Sequence, residues 1–142
     1  MALTRADTFT ENTKKIDFFS DFVDSFAKTP FGNQLGKLTN EKSVSQALKN
    51  LIMTNLGERL FQPYIGSNVY ASLFENITTE TLSTLEFYIQ NTIENNEPRI
   101  NLINVSVEDN PSNENEISIT LVYNLINNPE TINLSFLLKR VR

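Results

Sequence analysis

The sequence predicts an α+β domain: two amphipathic helices packed on one face of a small antiparallel sheet, a three-stranded C-terminal meander, with an extended N-terminal arm. Three observations predict it. Apolar residues recur at three-to-four spacing in two stretches, Val44, Ala47, Leu48, Leu51, Ile52 and then Leu82, Leu85, Ile89, Ile93. Three later stretches alternate apolar with polar residues, as half-buried strands do. Between the two regimes stands Asn95-Asn96-Glu97-Pro98-Arg99-Ile100. Proline lacks a backbone N–H and pushes the preceding residue toward extended geometry, so the second helix must close at Glu97-Pro98.

A chain of 142 residues with 39% hydrophobic content suits one domain with a modest core. Residues 1–16 form the arm, polar and without periodicity, and residues 17–142 the domain. There is neither an apolar run long enough to span a bilayer nor the apolar centre of a signal peptide near Met1, so the expected location is the cytoplasm of synthesis. The absence of Cys and His removes thiolate nucleophiles, disulfides, the commonest metal ligand and the usual neutral-pH proton shuttle. A net charge of −5 and a pI near 4.7 argue against phosphate-backbone binding, which needs clustered cations.

Taken in order, the segment from Ile16 to Phe26 is rich in phenylalanine. Phe18, Phe22 and Phe26 would align on a helix, yet Phe22, Asp24 and Phe26 alternate as in a strand, so the spacing does not decide. The aromatics are expected to cover the core, and a docking arm would need the same residues. Asn33 to Asn40 reads as loop. Ser43-Val44-Ser45-Gln46 can form a capping box that opens the first helix, with Gly57 placed for a left-handed C-terminal cap. The next segment, through Pro63 and Gly66, is turn-rich and reads as a small hairpin or extended excursion carrying Glu58 and Arg59. Tyr70 to Glu75 is a short helical turn that places Leu73 and Phe74 in the core. Thr78 or Thr79 caps the second long helix, with Glu80 near its positive end.

The three strands carry Ile103, Val105, Val107; then Ile117, Ile119, Leu121, Tyr123; then Ile132, Leu134, Phe136, Leu138. Turns fall at Asn110-Pro111-Ser112-Asn113 and Asn127-Asn128-Pro129-Glu130. The helices cover one face, and Asn, Ser and Thr solvate the other.

Only carboxylates could carry catalysis. Glu58, Glu75 and Glu97 could serve a glycosidase as acid and base, but nothing in their spacing brings two of them together. No phosphate-binding glycine loop or metal-ligand pattern occurs, so no cofactor is expected. Binding is the better-supported chemistry. The last strand is an edge that offers free N–H and C=O groups to an extended segment, with Asn133 and Ser135 on its polar face. Lys139, Arg140 and Arg142 could equally blunt that edge against aggregation. On the Pro98 corner, Arg99 can contact a carboxylate or helix-end carbonyls, with Glu97 orienting it.

The order Asp21…Ser25-Phe26, Val44…Leu48…Asn50-Leu51-Ile52…Thr54…Gly57-Glu58-Arg59…Phe61…Pro63…Gly66, Leu73-Phe74-Glu75 and Glu97-Pro98-Arg99-Ile100 resembles a known family across residues 17–139. It is similar to the baseplate wedge proteins of contractile-tailed bacteriophages, the lysozyme-like sheath-initiator family shared with type VI secretion baseplates. The resemblance implies a structural protein, present in multiple copies in a symmetric baseplate ring, that docks on the helical core bundle of the wedge and nucleates tail sheath. It implies wedge docking through Glu97, Pro98 and Arg99, and a second contact at Gly57, Glu58 and Arg59. Sheath strands would add near Asn133, Ser135 and Leu137. The alternatives are a glycan-cleaving baseplate enzyme, a type VI secretion subunit, and a free-standing adaptor that binds peptides by strand addition. The family's lysozyme label brings no acid/base pair to this sequence, and its Asn- and Ile-rich composition favours a phage.

Overall fold

The computed structural model describes residues 17–29, 32–110 and 116–139. The arm assigned to residues 1–16, the residues Pro111, Ser112 and Asn113 of the first expected turn, and Arg140 and Arg142 lie outside them. In chain order the elements are β1 (Ser20–Phe22), β2 (Lys37–Thr39), α1 (Glu41–Met53), α2 (Val69–Ser72), α3 (Thr79–Asn96), β3 (Ile100–Asp109), β4 (Glu116–Leu125) and β5 (Asn128–Lys139). Strands β3, β4 and β5 form an antiparallel sheet in that order, and β1 pairs with β2 in a separate small hairpin. The α+β class holds, with helices on one face of the meander.

The core joins Val44, Leu48 and Ile52 of α1 and Leu85, Ile89 and Ile93 of α3 to Ile117, Ile119, Leu121 and Tyr123 of β4. Burying each such aliphatic side chain contributes about 2 kcal/mol. The central strand shows the cleanest alternation because both of its edges are paired and one face is covered. Tyr123 is fully buried, and its hydroxyl meets Ser45 Oγ of α1 at 2.9 Å, so the polar tip of the largest core side chain is satisfied. Thr78 caps α3 by accepting from the Thr81 N–H, and α3 stops at Asn96, two residues before Pro98.

Several expectations are corrected. The first helix starts at Glu41, with Asn40 as its N-cap residue, so Ser43 lies buried inside the helix and no capping box forms. Gln46 instead holds the N-terminal hairpin: its Nε2 donates to Phe22 O, and its Oε1 accepts from Asp24 N. The segment from Asn33 to Asn40 contains β2, whose pairing with β1 no local periodicity could announce. Phe18, Phe22 and Phe26 are 60%, 56% and 68% exposed, so only Phe19 of that aromatic run packs on the core. Helix α1 ends at Met53 with Thr54 as its C-cap; Gly57 does have positive φ (83°), but in the following turn, where its N–H donates to Pro63 O.

Near α2, Leu73 is buried as expected, while Phe74 points outward and Val69 takes its place in the core. Ile103 is exposed, because a register shift between Leu102 and Asn104 makes it the extra residue of a bulge. The core side of β3 is therefore Ile100 and Leu102 before the bulge, and Val105 and Val107 after it. The last turn is Ile126-Asn127, and Asn128 already pairs with Leu125, two residues earlier than Asn127-Asn128-Pro129-Glu130 suggested.

Candidate docking site

The corner where α3 meets β3 is built by the stop signal itself. Glu97 is the C-cap residue of α3, its N–H donating to Ile93 O, and Pro98 turns the chain so that Arg99 folds back. Arg99 Nε donates to Glu97 Oε1 and Nη2 to Oε2, both at 2.6 Å, while the Arg99 backbone N–H reaches Oε1 at 3.3 Å. Glu97 is 8% exposed and Arg99 35%, so this is a fork-to-fork ion pair with a buried acid and a half-open base. Arg99 is held above its ordinary pKa, first by the hydrogen bonds it donates to Glu97, against a smaller opposing effect of burial, with the charges of Glu97 and Asp21 adding. The guanidinium carbon also lies 5.5 Å from the centre of the Phe19 ring.

Beside this corner, Ile93, Glu94, Glu97, Pro98, Ile100, Asn101 and Leu102 line a shallow depression of about 240 Å³. A second depression, about 500 Å³, lies between the excursion after α1 and the outer side of α3, with Leu56, Tyr64 and Gly66 facing Tyr88, Asn91 and Asn95. The Gly57-Glu58-Arg59 turn belongs to that excursion, and among the described residues no hydrogen bond or ion pair joins it to the Glu97–Arg99 pair. Glu58 Oε2 accepts from Asn55 N, and Arg59 is exposed, as are Leu60, Phe61 and Tyr64 at 90%, 97% and 87%. The excursion is fixed at its base: Gly66 has φ 146°, and a Cβ there would sit 2.7 Å from Thr54 O. Glu75 is exposed at the end of α2.

The sheet register decides which strand residues offer backbone groups. The Asn110 N–H donates to Glu116 O, so on β3 the pairs Glu108–Ser118 and Ser106–Thr120 exchange hydrogen bonds. Ile117, Ile119 and Leu121 then turn their backbone groups toward β5, bonding Leu138, Phe136 and Leu134. The remaining β5 residues, among them Asn133, Ser135 and Leu137, direct their N–H and C=O groups to the free edge. Among the described residues, no side chain or loop hydrogen-bonds to the main chain of those three. The opposite edge differs. Val107 faces outward by the same parity, and its N–H donates to Glu86 Oε1 of α3 at 3.0 Å.

Sequence reasoning named Glu97, Pro98, Arg99 and the β5 residues but missed Phe19, Asp21 and Glu86. Each acts across 20 residues or more of chain, and the only available signal was Phe19 lying in an aromatic run of undecided structure. Among the described residues no cluster of three or more acidic groups could hold a metal, and no helix is long and apolar enough to cross a membrane.

Comparison with known proteins gives this geometry a context. The family described as Baseplate wedge protein gp25 matches residues 39–130. Baseplate wedge protein gp25 of Enterobacteria phage T4 is 29% identical over 114 residues, which cover 80% of this chain and 85% of that protein. A crystal structure of a putative tail lysozyme from Geobacter sulfurreducens superposes with a TM-score of 0.68 at 24% identity, covering 74% of this chain and 96% of the other. A chain of the anti-feeding prophage baseplate gives 0.59 at 20% identity, covering 87% of each. One from the type VI secretion baseplate complex gives 0.59 at 16%, covering 70% of this chain and 93% of the other. The solved structures share the fold. The class defined by the fold and the family match is a structural component of the phage tail baseplate. The chain belongs to the family of Baseplate wedge protein gp25.

Proposed function

We propose that this protein is a non-enzymatic wedge component that docks on the helical core bundle of the wedge and seeds the first tail-sheath strands. Glu97, Pro98 and Arg99 form the docking corner, Gly57, Glu58 and Arg59 a second contact, and the β5 edge at Asn133, Ser135 and Leu137 the sheath-facing surface. The observation that carries the reading is the register, which aims the N–H and C=O groups of Asn133, Ser135 and Leu137 the same way, without a partner among the described residues. An extended segment added there continues the sheet, and repetition around a ring makes individually weak additions collectively strong. The corner supports it differently. The Glu97–Arg99 pair is preformed, so Arg99 meets an acceptor on the bundle with its remaining donors already oriented.

A glycan-cleaving role is disfavoured by the same pair. Both Glu97 oxygens are taken up by hydrogen bonds from Arg99 and the side chain is 8% exposed, so it presents no free carboxyl to a sugar.

The test is a pull-down from cells assembling the whole particle, with wild-type, Arg99→Glu and Ser135→Pro baits and mass-spectrometric identification. Proline at 135 fixes φ and removes an N–H that no strand among the described residues uses. Loss of wedge proteins with Arg99→Glu and of sheath with Ser135→Pro is the expected result. Identical partner sets for all three folded baits overturn the docking assignments.

A further inference from the structure

A protein that keeps one sheet edge open for a partner has to avoid recruiting itself. Both edges of a three-stranded antiparallel sheet offer the same backbone chemistry, so an open β5 could add to β3 of a second copy. That contact joins two different surfaces of the same molecule, and repeated head to tail it yields an open filament. The two edges here are unequal. At β5 the outward groups of Asn133, Ser135 and Leu137 have no hydrogen-bond partner outside the sheet among the described residues. At β3 the outward N–H of Val107 is taken by the half-buried Glu86. The bulge at Ile103 further interrupts the same edge.

We propose that Glu86 is an edge guard, a specificity-determining residue that closes β3 to strand addition, and that the strand it excludes is β5 of a second copy of this chain. The inference rests on the reading of β5 as a strand-accepting edge. A carboxylate on the Val107 N–H acts twice. It occupies the donor that a newcomer's carbonyl would use, and its charge repels that carbonyl's oxygen. Because Glu86 is carried by α3, which packs against β3, the guard is fixed by the core and does not depend on a mobile loop. Strand addition is thereby directed to one side of the sheet, which gives the assembly a polarity.

The experiment compares wild-type protein, Glu86→Gln, Glu86→Ala and the double variant Glu86→Ala/Ser135→Pro by light scattering across a concentration series. Glutamine still accepts from Val107, so Glu86→Gln and wild type keep a constant mass. Glu86→Ala gains mass with concentration, and adding Ser135→Pro abolishes the gain. A folded Glu86→Ala protein of constant mass overturns the proposal, as does a double variant that still associates. Should Glu86→Ala fail to fold, wild-type protein decides. Titrated with a synthetic peptide of residues 131–139, its Val105, Val107 and Asp109 amide resonances stay in place, and shifts there overturn the guard. Sheath capture by wild type and by Ser135→Pro tests the parent reading separately, so either can fail without the other.

Discussion

The hydroxyl of Tyr123 and the Oγ of Ser45 lie 2.9 Å apart, 78 residues apart in sequence, and this one contact ties the middle of the sheet to the first turns of α1. Ser45 also donates to Glu41 O at 2.7 Å, so it keeps a partner when the tyrosine hydroxyl is deleted. Tyr123→Phe is therefore expected to lower stability at neutral pH by only about 1 kcal/mol, measured as a shift in urea midpoint.

The same tyrosine predicts an alkaline limit. Burial raises its pKa above the usual 10, with the Ser45 hydrogen bond opposing and the charges of Glu41 and Glu97 adding. The unfolded chain then loses the proton first. The stabilisation is complete below the unfolded value and is lost as pH rises through the folded one. Denaturation followed from pH 9 upward should show a decline that is shallower in Tyr123→Phe; identical slopes would remove Tyr123 as the cause.

Two glycines should respond unequally to a methyl group. At Gly66 a Cβ would meet Thr54 O at 2.7 Å and Asn55 O at 2.8 Å, all backbone, and φ is 146°. At Gly57 the φ of 83° is the only obstacle, since nothing lies within 4 Å. Gly57→Ala should cost about 1 kcal/mol and Gly66→Ala about 3 kcal/mol or more, by chemical denaturation.

The corner can be read by a double-mutant cycle with Glu97→Gln and Arg99→Met. Because the acid is buried and the base half-open, the coupling expected is about 1–3 kcal/mol, above the range of exposed pairs. Arg99→Met alone should be the worse single change, leaving a buried carboxylate without its cation. A coupling near zero would make the pair incidental to stability.

Asn40 should be sensitive through its side chain. Its Oδ1 accepts from the N–H groups of Phe18 and Phe19, and its φ of 49° with ψ −117° is a backbone conformation that L side chains rarely adopt. Asn40→Ala is expected to speed amide exchange at Phe19 and across β1, with β4 amides unchanged. Uniform acceleration would show instead that the hairpin and core open together.

What the sequence disclosed follows contact range. The stripe of Leu85, Ile89 and Ile93, the stop at Pro98 and the alternation of Ile117 to Tyr123 are local patterns, and each appears where its spacing put it. The Glu97–Arg99 pair was legible for the same reason, being two residues apart. Ile103 was misread because a bulge shifts register without any composition signal. Phe18, Phe22 and Phe26 were misread because their spacing fits helix and strand alike, and their exposure depends on a hairpin partner 15 to 19 residues away. Glu86 on Val107 and Phe19 on Arg99 exist only once α3, β1 and β3 have been brought together.

The N-terminal hairpin is attached mainly by amide side chains: Asn40 to Phe18 and Phe19, Gln46 to Phe22 and Asp24, and Asn50 to Asp24. Phe19 is its main apolar anchor. The least costly opening of the molecule is therefore expected at this hairpin, with the sheet ladder left whole. When the hairpin lifts, the ring leaves the face of Arg99, and the guanidinium regains water while keeping its bond to Glu97. The corner at Glu97 and Arg99 therefore carries the Phe19 ring as a partial roof, held through the Asn40 side chain.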